Sequence, residues 1–140
     1  MFVHIFVLEL TETTMELIST HTVMTTDIGV NDNLFGGQLM SWIDLAAAAY
    51  ASQKCSSRNI VTKKVSELIF IKPAKVNHLL KVYGEVMHVG NTSITINIEA
   101  RHLDVVTCLE EVMCTTSLVL VKVDENGQPT KIDTVCQLKD

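Results

Sequence analysis

One long apolar segment, FGGQLMSWIDLAAAAYAS at residues 35–52, restricts the possible folds of this chain more than any other feature. A helix from about Gly36 to Lys54 is expected to be about 30 Å long at about 1.5 Å per residue, and its side chains leave it little polar face. Such a helix must be enclosed by other parts of the protein. The sequence shows no second long helix, so we expect a β-sheet to enclose it.

Most of the remaining sequence alternates between apolar and polar residues with the two-residue period of a β-strand. The alternation is plainest where Ile94, Ile96 and Ile98 point to one face and the polar residues between them point to the other. The order β-α-β-β-β-β predicts an α+β protein of the hot-dog type, an antiparallel β-sheet curled around one long central helix. The predicted strands are residues 17–24, 61–71, 79–89, 93–103 and 108–123, with a last short one near 131–135.

A chain of 140 residues with 47% hydrophobic and 19% charged residues is expected to form one globular domain. We place that domain at residues 15–140, after the polar TETT segment. Residues 1–14 are then an N-terminal extension or an additional edge strand. Their apolar part is about ten residues long, too short to span a bilayer, and it lacks the basic and small-residue features of a signal peptide.

Charge and cysteine content argue against several other classes of protein. The formal net charge of −5 argues against a nucleic-acid backbone as the main partner. The four cysteines show neither CxxC spacing nor histidine neighbours at metal-ligand spacing, so we predict no metal site. We also predict no membrane association and a cytoplasmic location, in which the cysteines stay reduced.

Asp44 is a single carboxylate inside the apolar segment. If the helix begins at Asp44, this residue is its N-cap, a position that aspartate favours. If the helix begins at the glycines, Asp44 lies in mid-helix and has no cation at the i±3 and i±4 positions. A carboxylate without a cation in apolar surroundings is disfavoured in its charged form, which suits a general base or a nucleophile.

Gly36 and Gly37 stand where the longer helix is expected to begin. The first N–H groups of a helix are unpaired and lie at the positive end of its dipole, and glycine allows a ligand to approach closely. These amides are therefore candidates for an oxyanion hole. The alternative is that the two glycines only allow a tight turn against the sheet.

The distance between these two features predicts a shared site. Gly37 and Asp44 lie about 10 Å apart along one helix, whereas a polarised carbonyl oxygen and the attacking group lie about 3 Å apart. One subunit therefore cannot supply both groups to the same substrate. Two antiparallel helices across a dimer axis can do so, with the N-terminus of one helix facing Asp44 of the other. We predict a homodimer with two equivalent interfacial sites.

The segment NDNLFGGQLMSWID resembles the signature of hot-dog acyl-CoA thioesterases of the YciA type, in which the active-site Asp follows the Phe of FGG by nine residues. Phe35 and Asp44 keep this spacing, and the likeness covers about residues 15–130. The resemblance implies hydrolysis of acyl-CoA thioesters, with Asp44 as base or nucleophile and the helix N-terminus at Gly37 polarising the carbonyl. It implies no cofactor apart from the coenzyme A within the substrate, and an assembly that is often a tetramer or hexamer.

The resemblance also implies further site residues. An asparagine in the loop before FGG assists in such enzymes, with Asn31 as the better match here and Asn33 as the reserve. The family often reads N-x-x-G-x-x-F-G-G, whereas this chain has Gly29 and Asp32 at the Asn and Gly positions. The expected contacts to the substrate and its coenzyme A portion are Phe35, Gly36, Lys72, Gly90, Thr92 and Ser93.

Other activities have weaker support in the sequence. No GxSxG nucleophile motif is present, and Cys55 has no evident histidine partner. A hot-dog dehydratase needs a catalytic histidine against a carboxylate, and His21 serves that role only if the fold brings it near Asp44. The non-enzymatic alternative is a domain that binds or senses acyl-CoA without hydrolysing it, because a fold does not determine a function.

Overall fold

The computed structural model describes residues 15–136, so the predicted extension at residues 1–14 lies outside the described residues. Strand β1 (Glu16–Thr22) is followed by two 3-10 turns, Thr25–Asp27 and Val30–Asp32, and then by helix α1 (Gly36–Lys54). The remaining strands are β2 (Ile60–Val65), β3 (Ile69–Phe70), β4 (Leu79–Val89), β5 (Ser93–Leu103) and β6 (Glu110–Lys122).

The strands form a single antiparallel sheet in the order β1-β4-β5-β6-β2, with the short β3 also paired to β6. Helix α1 packs against one face of this sheet. Ile94, Ile96 and Ile98 of β5 are buried beneath the helix, as their alternation predicts. Leu39 and Ile43 of α1 belong to the same core. The predicted hot-dog architecture is therefore confirmed.

The predicted bounds of the helix are correct, but two strand predictions are wrong. Residues 61–71 form two strands rather than one. Ser66 donates its backbone N–H to Ser117 at 2.8 Å, whereas Ile69 pairs with Thr115, so this edge has one residue more than β6 over the same stretch. The extra residue interrupts the ladder in the manner of a β-bulge.

The short strand expected near residues 131–135 does not form either. Ile132 donates its N–H to the carbonyl of Asn91 at 2.8 Å, and Cys136 donates to the carbonyl of Lys54 at 2.6 Å. These are separate hydrogen bonds to a turn and to the helix end. The segment therefore does not extend the sheet, because its backbone hydrogen bonds go to a turn and to the helix end.

One chain covers only one face of helix α1. Met40 and Leu45 are 41% and 67% exposed, and Val61 on the neighbouring edge strand β2 is 44% exposed. Met40 and Leu45 flank Asp44 on the exposed side of the helix, whereas Val61 faces away from the helix, because the next residue, Thr62, faces Asp44. The enclosure expected for the whole helix is therefore incomplete within one chain, and part of its apolar surface is exposed.

Candidate active site

Helix α1 begins at Gly36, with Phe35 as an extended N-cap residue. Gln38 and Leu39 both donate their N–H groups to the carbonyl of Phe35, at 3.0 and 3.2 Å. The N–H groups of Gly36 and Gly37 make no hydrogen bond within the described part of the chain. Two free donors therefore stand at the positive end of the helix dipole, as the sequence predicts.

The ring of Phe35 lies against two glycines, Gly29 and Gly37. A Cβ atom at Gly37 would stand 2.5 Å from Cε2 of Phe35, and one at Gly29 would stand 3.1 Å from Cδ1. Real Cβ atoms do not tolerate the shorter distance, so glycine at position 37 is what lets this ring lie over the first turn. The sequence predicts that a ligand approaches Gly37 closely. In this structure the ring of Phe35 makes a close approach to Gly37.

A groove of about 490 Å³ opens beside this ring, and we call it the helix-entry groove. It is lined by Val30 and by residues 33–36 and 70–73. Its walls are mainly apolar, and its polar side chains are Asn33 and Lys72. The groove therefore suits a ligand with an apolar body, a few hydrogen-bonding groups and an anionic end.

Asp44 lies in the middle of α1, so the alternative that it caps the helix is wrong. Thr62 of β2 donates its hydroxyl to Oδ1 of Asp44 at 2.8 Å. Both residues line a second cavity of about 350 Å³, the aspartate groove, whose other lining residues are Gly37, Met40, Ser41, Ile43, Val65 and Leu118. Asp44 is exposed to solvent, so one chain does not supply the apolar enclosure expected for it.

Thr62 is a site residue that sequence reasoning missed. It lies in a polar stretch of edge strand β2, distant from Asp44 along the chain. The sequence does not specify how β2 aligns with the helix, so nothing distinguishes Thr62 from its neighbours Lys63 and Lys64. The available signal is a hydroxyl residue near the start of the strand that follows the helix carrying Asp44.

His21 does not approach Asp44. Its ring stacks on Trp42 with the ring centroids 4.3 Å apart, and its Nε2 lies 3.0 Å from the hydroxyl of Ser19. Trp42 and Asp44 are two residues apart on α1, which places them about 200° apart around the helix. Burial lowers the pKa of His21 from its ordinary value of 6.5, because it disfavours the charged ring. His21 and Asp44 therefore do not form the histidine–carboxylate pair that a dehydratase requires.

Lys72 lines the helix-entry groove, and the family resemblance implies that it contacts coenzyme A. Its ammonium group is 2.6 Å from Oε1 of Glu111, and both side chains are about half exposed. An exposed ion pair of this kind contributes little to stability and exchanges partners readily. Lys72 is therefore available to an anionic group that enters the groove.

The turn that carries Gly90, Thr92 and Ser93 lies at the opposite end of the subunit. The N–H of Gly90 donates to the carbonyl of Ser93 at 2.7 Å, which closes the hairpin between β4 and β5. Val89, next to this turn, lines a cavity with Lys54 at the C-terminal end of α1. Helix α1 is about 28 Å long. One chain therefore does not bring this turn together with Gly37 or Lys72.

The two asparagines before FGG differ in their surroundings. Asn31 adopts a left-handed conformation with φ of 62°, its carbonyl accepts from Nζ of Lys75 at 3.4 Å, and it lies outside both grooves. Asn33 lines the helix-entry groove, and its Oδ1 is buried without a hydrogen-bond partner. The structure thus places the reserve asparagine, and not the better sequence match, beside the helix N-terminus.

Residues 15–136 offer neither a metal-binding cluster nor a membrane-spanning helix. No group of three or more histidine, cysteine, aspartate or glutamate side chains in that range is arranged to hold a metal ion. No helix in the described residues is long and apolar enough to cross a membrane.

A sheet packed on one long helix, with a free helix N-terminus and a mid-helix carboxylate facing open grooves, defines a hot-dog domain of the hydrolytic kind. Residues 31–109 match the model of the Thioesterase superfamily, and the chain belongs to this family. The acyl-CoA thioester hydrolase YciA of Salmonella typhimurium is 32% identical over 117 residues, which cover 81% of this chain and 87% of that protein.

Solved structures support the same relationship. A hexameric thioesterase from Yersinia pestis superposes with a TM-score of 0.80 at 30% identity, over 87% of this chain and 98% of that one. An acyl-CoA hydrolase from Staphylococcus aureus, solved with butyryl coenzyme A, coenzyme A and coenzyme A disulfide, superposes with a TM-score of 0.79 at 26% identity. That match covers 87% of this chain and 74% of the Staphylococcus aureus chain.

The Staphylococcus aureus enzyme was also solved as three alanine variants. The replaced residues are, in chain order, an asparagine, an aspartate and a threonine, and they are well separated in sequence. When its aspartate is aligned with Asp44, the spacing to its asparagine leads back to Gly29 here. The spacing to its threonine leads forward to Val61, directly before Thr62. The aspartate and the threonine thus have counterparts at similar spacing, whereas the asparagine position is occupied by glycine.

Proposed function

We propose that this protein hydrolyses acyl-CoA thioesters to a free carboxylic acid and coenzyme A. The observation that carries the proposal is the pair of groups on helix α1, namely the free N–H groups of Gly36 and Gly37 and the carboxylate of Asp44. These are the two functions that hydrolysis of a thioester requires, a donor for the carbonyl oxygen and a base or nucleophile for attack. The reaction needs no cofactor.

In the proposed reaction the thioester oxygen accepts hydrogen bonds from the helix N-terminus, with Gly37 and Gly36 as donors. Asp44 removes a proton from a water molecule, whose oxygen attacks the carbonyl carbon. The C–S bond then breaks, and the thiolate of coenzyme A leaves and takes up the proton. In the nucleophilic alternative, Asp44 attacks first and water then hydrolyses the mixed anhydride.

Thr62 orients Asp44 in this scheme. Its hydroxyl occupies Oδ1 of the carboxylate at 2.8 Å, so Oδ2 is left for the water. A carboxylate held at one oxygen has fewer orientations to lose before reaction. Thr62 is therefore a positioning residue, which acts through Asp44 and does not contact the reacting carbon.

The active form is a homo-oligomer in this proposal. Gly37 and Asp44 of one helix remain about 10 Å apart, too far to act on one carbonyl. The exposed side chains of Met40 and Leu45 supply an apolar surface beside Asp44 for a second subunit to cover. An antiparallel dimer also brings the turn at Gly90 of one chain toward the helix N-terminus of the other. A hexamer, as in the Yersinia pestis relative, combines three such dimers.

The substrate contacts follow from the same arrangement. Phe35, Gly36 and Lys72 line the groove beside the free amides, and the partner's copy of the Gly90, Thr92 and Ser93 turn completes the site for coenzyme A. The free thiols of the described cysteines fit a reducing, cytoplasmic setting.

The test is release of thiol from a panel of acyl-CoA substrates, from acetyl to palmitoyl, by the purified wild-type chain. Hydrolysis of any member supports the proposal. Tight binding of several members without thiol release would replace it with an acyl-CoA sensing role.

A further inference from the structure

The side chain of Asn33 has no hydrogen-bond partner in the described part of the chain, although it stands in a groove that is otherwise mainly apolar. Its Oδ1 is shielded from solvent as well. A buried carbonyl oxygen without a donor costs free energy, and such groups are uncommon in native proteins. An unpaired carboxamide at this position therefore indicates a partner that arrives from outside the chain.

The loop is held by its backbone and not by this side chain. Asn33 accepts from the N–H of Gly29 at 2.8 Å and donates its own N–H to the carbonyl of Val30 at 3.5 Å, in both cases through backbone atoms. The carboxamide contributes nothing to these bonds. A purely structural explanation for an asparagine here is consequently weak, because any residue with extended backbone would make them equally well.

We infer that the carboxamide of Asn33 pairs with an amide group of the pantetheine arm of the acyl-CoA substrate. This inference rests on the proposed function. The pantetheine arm is a chain of methylenes interrupted by amides and joined to phosphates at its far end. The helix-entry groove offers the same kinds of groups, since its mainly apolar walls carry one carboxamide, that of Asn33, and one cationic side chain, that of Lys72.

The two amides are complementary to each other, because each offers an N–H donor and a carbonyl acceptor. Rotation about χ2 of Asn33 brings Oδ1 into the groove, and this torsion is soft in asparagine. The rotation breaks no hydrogen bond of Oδ1, because that atom has none. Pairing with the substrate thus satisfies an atom that the free subunit leaves unsatisfied.

Asn33 also occupies a different place from the asparagine of the Staphylococcus aureus relative, whose counterpart here is Gly29. A Cβ atom at Gly29 would lie 3.1 Å from the ring of Phe35, so an asparagine there would require the ring to shift by a few tenths of an ångström. In this chain the ring of Phe35 lies next to Gly29, and the carboxamide in the groove is that of Asn33, four residues after Gly29. Asn31 does not compete for the role, since it lies outside the groove.

The experiment compares wild type with Asn33→Leu on three butyryl thioesters, those of coenzyme A, N-acetylcysteamine and ethanethiol. Coenzyme A carries the whole pantetheine arm, N-acetylcysteamine only the amide nearest the sulfur, and ethanethiol none. We expect kcat/KM of the variant to fall about tenfold on butyryl-CoA, the size of one lost hydrogen bond, and to stay unchanged on the ethanethiol ester. A loss on the N-acetylcysteamine ester assigns the contact to the nearer amide, and no loss there assigns it to the farther one.

Equal losses on all three esters, or no loss on butyryl-CoA, would overturn the inference. Asn33→Ala replaces Asn33→Leu if the leucine variant does not fold, and Asn126→Ala in the exposed turn after β6 is the matched control. If wild type hydrolyses none of the esters, the proposed function fails separately. Calorimetry with coenzyme A then decides the inference, which requires weaker binding by Asn33→Leu and is overturned by equal binding.

Discussion

Thr62 on edge strand β2 donates a 2.8 Å hydrogen bond to Asp44 in the middle of helix α1. This bond joins the sheet to the helix at the one carboxylate of the apolar segment. Both side chains are exposed in a single subunit and line the aspartate groove. A hydrogen bond between two exposed side chains contributes little to the stability of the fold. We therefore expect the Thr62–Asp44 bond mainly to orient the carboxylate of Asp44.

Replacement of Thr62 by valine keeps the shape of the side chain and removes the hydroxyl. We expect kcat on butyryl-CoA to fall about tenfold while KM stays nearly unchanged, because the lost hydrogen bond orients Asp44 and does not touch substrate. Thr62→Ser restores the hydroxyl and should recover most of the rate. Steady-state kinetics of the three proteins measure this, and a serine variant as slow as the valine variant would contradict it.

Asp44→Asn removes the base while keeping the size of the side chain. We expect turnover to fall at least about a hundredfold with the thermal midpoint of unfolding nearly unchanged, since loss of a general base costs about that much. Asp133→Asn is the matched control, because that aspartate is exposed and lies outside both grooves. Near-normal turnover of Asp44→Asn would remove Asp44 from the mechanism.

The helix N-terminus can be tested at Gly36 by two substitutions of opposite effect. A Cβ atom there meets only Phe70 at 3.6 Å, an ordinary contact, so Gly36→Ala should fold and keep its activity. Gly36→Pro should also fold, because proline is well tolerated at the first helical position and Phe35 is already extended. It deletes the N–H, however, and should lower kcat about a hundredfold. Equal activity of the two variants, measured by thiol release, would exclude this amide from carbonyl polarisation.

His78 predicts a pH dependence of stability. Burial, His102 stacked 4.2 Å away and Lys75 together lower the pKa of His78 from its ordinary value of 6.5. The unfolded chain therefore takes up this proton more readily than the folded one, so the stabilisation is complete above pH 6.5 and is lost as the pH falls through the folded pKa. Its Nδ1 also accepts from the N–H of Lys75 at 3.1 Å, a bond that protonation removes.

We therefore expect His78→Gln to lose less unfolding free energy than wild type between ~pH 7.5 and ~pH 5. Urea unfolding of both proteins at the two pH values measures the difference. His88→Gln, an exposed histidine of β4, serves as the control and should behave like wild type. An equal loss in His78→Gln and wild type would show that another group is responsible.

The sequence predicts the helix and its sheet well because both depend on local periodicity. The apolar run from Gly36 to Lys54 and the alternation of β5 each specify a buried face without reference to other elements. The break at Ser66 and the Thr62–Asp44 contact depend on how one strand aligns with β6 and with the helix. That alignment is a property of the packed molecule, which explains why the prediction of one strand at residues 61–71 is wrong and why Thr62 was missed.

The last prediction concerns the sharing of the site between subunits, which follows from the separation of Gly37 and Asp44, about 10 Å along one helix. Asp44→Ala and Gly36→Pro are each expected to be nearly inactive alone. In a hybrid dimer of the two, one site receives both lesions and the other receives neither. Random exchange makes about half of the dimers hybrid, so activity should recover to about one quarter of wild type.

The experiment refolds an equal mixture of the two variants and measures thiol release from butyryl-CoA. Subunit exchange is verified separately with distinguishable tags on the two chains. The same mixture made from Asp44→Ala and Asp44→Asn is the control, and it should stay inactive because every site in it lacks the carboxylate. If all the chemistry came from one chain, each site of each hybrid would carry one lesion. Verified exchange without recovery would therefore place the helix N-terminus and Asp44 of each active site in the same subunit.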